Sequence, residues 1–400
     1  MSKNFLGGIL LIGGTATGAG MLALPIITAP MGFLQSIAVF IFCWFFMTAS
    51  ALLLLEVNLA IAPGANLNTL VRVTLGRIGQ IVAWMTYVML LYSLTAAYIT
   101  GGAEWFMDYL HRSFALNLTF TETVFSLTTA VALIVFFGTQ VVDYINRALM
   151  VGLVVSFVYL ITLLTPLLKP EQLVTSYTSM NLWQLPALAT AFGFHIVIPS
   201  LTTYVGHAKT LQRIIWIGSM IPLCFYIIWE ALILGSIPHN GSAGLLAMAS
   251  NPQPIQAMIT ALTPLTQGHF GALARTFLIF ALTTSFIGVT LALFDFLRDA
   301  FKIKPQDKRL ILTVCTFVPP VLSVTLFPAG FIFAIQFAGL FVAILLGILP
   351  ALMAWRVRYH LQLPTFYQVK GGKSVLLIVL SFFILVSLLE CQHVIREFLS

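Results

Sequence analysis

Charge is what this 400-residue sequence has least of: Asp, Glu, Lys and Arg together make up 8% of it. A soluble globular domain carries about a quarter, so that class is excluded. No polar stretch between the apolar runs is long enough to fold as a soluble domain. The four cysteines, Cys43, Cys224, Cys315 and Cys391, fall in four separate apolar runs. Their spacing fits neither a metal site nor a disulfide framework, and they read as small apolar residues in helix packing. There is no HExxH, and Gly372-Lys373-Ser374 lacks the first glycine of a phosphate loop because Tyr367 stands there. Neither a membrane metalloprotease nor an ATP-driven pump is supported, and no catalytic residue, metal or cofactor is expected.

Apolar residues fill the space, at 60% of the chain with a mean hydropathy of +1.03. They form eleven runs, at about 5–29, 33–57, 79–107, 122–139, 148–168, 186–206, 211–236, 272–300, 310–327, 331–354 and 374–395. Each approaches the ~20 residues that cross a bilayer as a helix. The expected fold is an all-α polytopic membrane protein of eleven transmembrane helices. Fifteen of the nineteen basic residues fall on one side of that topology, with Lys3, Arg72, Arg77, Arg147, Lys209, Arg213 and the 298–309 loop among them. The positive-inside rule then sets the N-terminus in the cytoplasm and, with an odd count, the C-terminus in the periplasm. The net charge of +7 therefore reflects topology rather than nucleic-acid binding. One lysine before the first run and no small-residue cleavage site argue against a signal peptide.

Two runs are irregular. Residues 11–25 place four glycines and two threonines at mid-membrane, where glycine costs about 1 kcal/mol relative to alanine and lets the helix open. Open backbone at that depth is tolerated where it lines a cavity or is buried in protein. A close helix-packing face is the alternative, since Gly14 and Gly18 form a GxxxG pair. The sixth run reads Ala-Phe-Gly-Phe-His-Ile-Val-Ile-Pro-Ser from Ala191 to Ser200, with Gly193, His195 and Pro199 at mid-depth. Each irregular run opens a set of five, the sequence pointer to inverted repeats around a midplane site. The chain is expected to be one transporter domain over 1–400, with repeat one at about 1–168, repeat two at about 183–355 and an extra helix at about 374–397.

Ionisable groups inside the membrane are costly and point to function. His195 sits near the bilayer centre, either as a proton relay or as a neutral imidazole satisfying a freed carbonyl. Glu104, far along the third run, is either a proton relay or a group reaching the outer headgroups. Thr95 and Tyr98 share one helix face from which Glu104 points away. Glu56 reads as solvated at the cytoplasmic interface or, alternatively, as a gating acid, Glu230 as interfacial rather than buried, and Asp143 with Arg147 as a surface i, i+4 pair. Thr284, Gly288, Leu291 and Asp295 form a stripe on the eighth run, beside Thr283 and Ser285. Hydroxyls there serve either a ligand or helix packing at ~0.6 kcal/mol each. Residues 237–270 contain no Asp, Glu, Lys or Arg and are expected to lie on the protein as a lid, broken at Pro252, Pro254 and Pro264. The 298–309 loop reads as a solvated basic linker, and Gln336 is the polar exception in the tenth run.

The run Gly13-Gly14-Thr15-Ala16-Thr17-Gly18-Ala19-Gly20-Met21-Leu22-Ala23-Leu24-Pro25 closely resembles the first-helix motif of the bacterial hydroxy/aromatic amino acid permease family. Further matches run in order along the chain: Leu-Leu-Leu-Leu-Glu-Val (52–57), Leu-Thr-Ala-Ala-Tyr-Ile (94–99), Phe-Gly-Phe-His (192–195), Gly-Val-Thr-Leu-Ala-Leu-Phe-Asp (288–295) and Val-Lys-Gly-Gly (369–372). The overall likeness is to tyrosine-specific members. It implies a LeuT-type fold with broken helices one and six, in the bacterial inner membrane. The implied activity is import of an aromatic amino acid, tyrosine first, by proton symport with alternating access. The alternatives are a sodium-coupled carrier of the same fold, or a sensor or channel that does not pump. The resemblance implies a substrate carboxylate on the amides around Ala19 and Gly20, beside Thr15, Ala16, Thr17 and Gly18. It implies an ammonium on the carbonyls near Phe192, Gly193 and Phe194, next to His195, and a side-chain pocket lined by Thr95, Tyr98 and Ser285. Proton coupling is expected at His195 or Glu104.

Overall fold

Glycine and proline set the helix breaks in this computed structural model, which describes residues 3–174, 182–251, 253–301, 308–326, 331–364 and 367–399. Where they are absent, as in Phe33–Ile61, the apolar run forms one unbroken helix of 29 residues, about 44 Å at 1.5 Å per residue. Among the described residues ten helices are long and apolar enough to cross a membrane, and one bent pair makes an eleventh span. All eleven expected spans are present.

Span one is helical from Lys3 to Ala16, then opens at an extended Gly18 (φ −140°, ψ −171°). It resumes as a tight turn over Ala19–Ala23 and a short helix Leu24–Thr28, with a 52° bend between the halves. Span two, Phe33–Ile61, starts at Gly32, whose φ of +72° favours glycine. Span three (Leu67–Phe114) turns at Gly76, also at φ +72°, so its first nine residues form a separate stub on the inner face. "Inner" here denotes the face that carries most of the basic loops.

Spans four (Phe120–Phe137), five (Thr139–Leu164), seven (Ala208–Ser236), eight (His269–Ala300) and nine (Arg309–Leu326) are single helices. Span six runs Leu185–Ala191, leaves helical geometry at Phe192 and Phe194, and resumes at Ile198–Tyr204. Pro199 does not make that break; it sits in the first turn of the second half, where its missing N–H costs nothing. Span ten joins Phe331–Val342 to Leu349–Tyr359 through a π-helical turn, Ala343–Ile348. Span eleven, Gly372–Leu399, packs on that turn, with the Phe383 ring against Gly347.

The buried apolar residues divide into two bodies. Residues of spans three, four, eight and nine, Ile99, Val131, Phe286 and Phe317 among them, form one cluster. Spans one, two, six and seven anchor the other, with ten and eleven packed against it. Span eight meets the turn after the span-one break, which brings the two bodies together at mid-depth.

Two interfacial expectations fail. Glu56 is fully buried, gripped by Arg358 and by the Val369 amide, because the chain after span ten folds back over the end of span two. Glu230 is also fully buried, because span seven lies between the outer half of span one and the start of span two. The 298–309 loop is only partly a solvated linker: Arg309 donates to the Phe136 carbonyl at 3.1 Å and closes the end of span four. Residues 302–307, Pro252 and the side chains of Asp143 and Gln336 lie outside the described residues. The uncharged outer segment does rest on the protein. Its helices Leu245–Ala249 and Pro254–Leu265 bury Leu245, Met248, Met258 and Leu262, and His239 bonds the Ala29 carbonyl at 2.9 Å. Of the cysteines, Cys43 is buried whereas Cys224 and Cys391 are exposed.

Candidate functional site

The two breaks converge on one side chain that the sequence reading passed over. Tyr226 of span seven is buried, and its hydroxyl lies 2.7 Å from the Ala16 carbonyl and 2.8 Å from the Ala191 carbonyl. Ala16 ends the first half of span one and Ala191 ends the first half of span six. Each carbonyl is therefore among those a helix C-terminus leaves unpaired, at the negative end of the helix dipole. The Phe192 ring packs edge-on to Tyr226, with centroids 5.2 Å apart.

On the other side of the break, a Cβ added at Gly18 would stand 3.5 Å from the Ser285 Oγ, an ordinary contact distance, so span eight lies against the break. The Tyr98 hydroxyl bonds Ser285. Gly18, Tyr98 and Ser285, expected to share a pocket, are thus brought together, and span eight does face span one. The amides of Ala19 and Gly20 begin the turn after the break, where a helical segment has unpaired donors. Nothing stands within 4 Å of a Cβ added at Gly20, which leaves room beside those amides.

Other expected residues are placed differently. Thr15 is exposed and its hydroxyl bonds back to the Leu11 carbonyl at 2.6 Å. The Thr17 hydroxyl bonds Gly13 at 2.9 Å, and that of Thr95, fully buried, bonds Leu91 at 2.7 Å. Phe192 and Phe194 are buried. Thr284 spends its hydroxyl on Ala281, while Asp295 at the inner end of the stripe pairs with Arg298 at 2.9 Å. Glu104 is half-buried, roughly 9 Å outward of Tyr98 along the same helix, and one turn beyond it Asp108 pairs with Arg275 at 3.8 Å.

His195 is 1% exposed, and its Nε2 lies 2.8 Å from the Ser50 hydroxyl of span two. It borders a cavity of about 560 Å³ that runs to the inner face between spans three, six and eight. Trp84, Tyr87, Ser200, Thr203 and Asp295 line it, and its mouth lies at Asn66 and Asp299. Ile196, mid-span, is 51% exposed there, which marks the space as open. Beside the mouth, Asn58 ties the inner loop to span six. Its Oδ1 accepts from the Gly64 amide at 3.1 Å and from Thr202 at 2.7 Å. A volume of this size suits one small organic molecule.

Among the described residues no group of His, Cys, Asp and Glu could hold a metal ion. What the site offers is unpaired backbone, hydroxyls and aromatic rings at mid-membrane, the means to bind a small zwitterion without changing its covalent bonds.

Comparison with known proteins gives the family and the fold. The model of the tryptophan/tyrosine permease family matches residues 1–390. A tryptophan-specific transport protein of Pseudomonas aeruginosa is 37% identical, over 94% of this chain and 92% of its own. Tyrosine-specific transport system 1 of Haemophilus influenzae is 34% identical, over 97% and 96%. Among solved structures, a manganese transporter of Eremococcus coleocola superposes with a TM-score of 0.61 at 16% identity, covering 96% of this chain and 85% of that one. That last likeness concerns the fold alone.

Proposed function

The chain belongs to the tryptophan/tyrosine permease family, and from that premise we propose that it imports an aromatic amino acid, tyrosine first, by proton symport with alternating access. It is a multi-pass membrane transporter and not an enzyme. The observation that carries the reading is the meeting of both helix breaks at Tyr226, beside Gly18, Tyr98 and Ser285.

The substrate carboxylate takes the amides of Ala19 and Gly20, where unpaired N–H groups favour an anion. Its ammonium takes carbonyls of the breaks near Phe192 and Gly193, and its ring lies against Tyr98 and Phe192 in a mostly apolar pocket. The 560 Å³ cavity reaching the inner face, with the outer segment seated on span one, supports an inward-open state. In that orientation the N-terminus is cytoplasmic and the C-terminus periplasmic. Proton binding biases the outward–inward equilibrium by its differential affinity for the two states. Sequence nominates His195 and Glu104 for it, and uptake by His195→Gln and Glu104→Gln tests each.

The deciding experiment is uptake of labelled tyrosine and tryptophan into proteoliposomes under an inward proton gradient in sodium-free buffer. Accumulation of tyrosine that collapses with a protonophore is the expected result. Uptake of tryptophan alone overturns the substrate assignment, uptake only with sodium overturns the coupling, and binding without flux replaces the carrier by a sensor.

A further inference from the structure

Span seven buries a second ionisable group that neither the sequence reading nor the substrate pocket accounts for. Glu230 is 0% exposed, one helical turn outward of Tyr226 and on the same face. Its Oε1 meets the Thr28 hydroxyl, and the Ser36 hydroxyl faces the same carboxyl. Its Oε2 has no partner among the described residues. A buried carboxylate ordinarily requires a cation or a full set of donors. Here the elements packed on span seven bring hydroxyls instead. The titratable groups they carry at that end are Lys169 and Glu171, both exposed, and His239, whose Nε2 is held by the Ala29 carbonyl. Tyr226, on span seven itself, is engaged by the two breaks.

Both hydroxyls also have a second acceptor one turn back on their own helix. Thr28 Oγ1 lies 2.8 Å from the Leu24 carbonyl, and Ser36 Oγ lies 2.6 Å from the Gly32 carbonyl. A hydroxyl has one proton to give and two lone pairs to accept with. With Glu230 ionised, both protons turn to the carboxylate. With Glu230 protonated, they turn back to Leu24 and Gly32, and the carboxylic acid donates to a hydroxyl oxygen. The pocket therefore offers the group hydroxyl partners in either protonation state without a cation, which a purely structural buried carboxylate does not need.

We propose that Glu230 is a proton-carrying residue of this transporter, in addition to the His195 and Glu104 candidates, loaded and released through the Thr28 and Ser36 hydroxyls. Thr28 ends the helix that follows the span-one break, and Ser36 opens span two, so the charge on Glu230 sets how tightly those segments are held to span seven. Tyr226, four residues away on the same helix, grips the carbonyls of both breaks. Proton loading and substrate binding thus act on one rigid element. The proposal rests on the proton-symport reading above.

The test is proton uptake driven by saturating tyrosine or tryptophan, read with an external pH dye on proteoliposomes of wild type and Glu230→Gln. Counterflow of labelled amino acid, which needs no proton gradient, is measured in parallel. The expected result is that Glu230→Gln keeps counterflow within about threefold, loses substrate-driven proton uptake, and no longer accumulates substrate uphill. Proton uptake at the wild-type ratio in Glu230→Gln overturns the assignment while leaving symport intact. Absence of proton movement in active wild-type vesicles overturns symport itself, and this proposal with it. If Glu230→Gln does not fold, Thr28→Val decides. Loss of that donor removes support for the ionised state, so uptake persists to higher pH than in wild type. An unchanged pH profile overturns the proposal.

Discussion

Arg358 and Glu56 meet edge to edge, Nε to Oε1 at 2.6 Å and Nη2 to Oε2 at 2.6 Å, with both side chains out of solvent. The Val369 amide donates to Oε2 at 2.8 Å, and Nη2 also donates to the Val369 carbonyl at 3.1 Å. Removing one member of such a pair leaves an uncompensated buried charge, at about 3–5 kcal/mol. Arg358→Met is expected to destabilise by that order, read as thermal unfolding of the detergent-purified protein. The double variant Glu56→Leu/Arg358→Met is expected to recover at least half, because no charge is then stranded.

Tyr226→Phe keeps the ring contact with Phe192 and removes only the hydroxyl between the two breaks. Losing a donor to buried carbonyls costs about 1–3 kcal/mol. Transport is expected to fall roughly 5- to 150-fold at unchanged expression, measured as initial uptake rate per reconstituted protein. A rate within twofold of wild type would remove Tyr226 from the site.

Gly347→Ala drives a methyl into the Phe383 ring at the π turn. Overpacking of a fitted contact costs about 1–3 kcal/mol. A lowered unfolding temperature is expected, with recovery in Gly347→Ala/Phe383→Leu, where the smaller side chain yields the space.

Thr203 lines the cavity and is exposed. In a background lacking the native cysteines, Thr203→Cys is expected to react with a membrane-impermeant maleimide applied from the inner face. Saturating substrate is expected to slow that reaction several-fold as the population shifts. Equal rates from both faces, or no response to substrate, would refute alternating access through this cavity.

How far the sequence could be read follows from how local each signal is. The breaks in spans one and six were legible because glycine, at Gly18 and Gly193, acts on its own turn, whereas Pro199 only opens the helix that follows. Span eight was expected to face span one, and Ser285 does stand beside Gly18. The acids were misread where the partner lies far away in sequence. Glu56 ends an apolar run and looks interfacial until Arg358, 302 residues later, is folded onto it. Glu230 precedes an outer loop and looks solvated until Thr28, 202 residues earlier, reaches it. Tyr226 was missed because a lone tyrosine in an apolar run resembles packing. The available signal was its i, i+4 spacing from Glu230, two polar groups on one stripe of a helix that carries no other charge after Arg213.

Tyr226 has a single proton for two carbonyls at nearly equal distance. The tie is thus a swivel pin and not a weld: as one break slides relative to the other, the proton can change allegiance without the joint coming apart. A joint of this kind keeps both breaks tied to span seven through a small displacement of either carbonyl, as an axle stays in its bearing while the wheel turns.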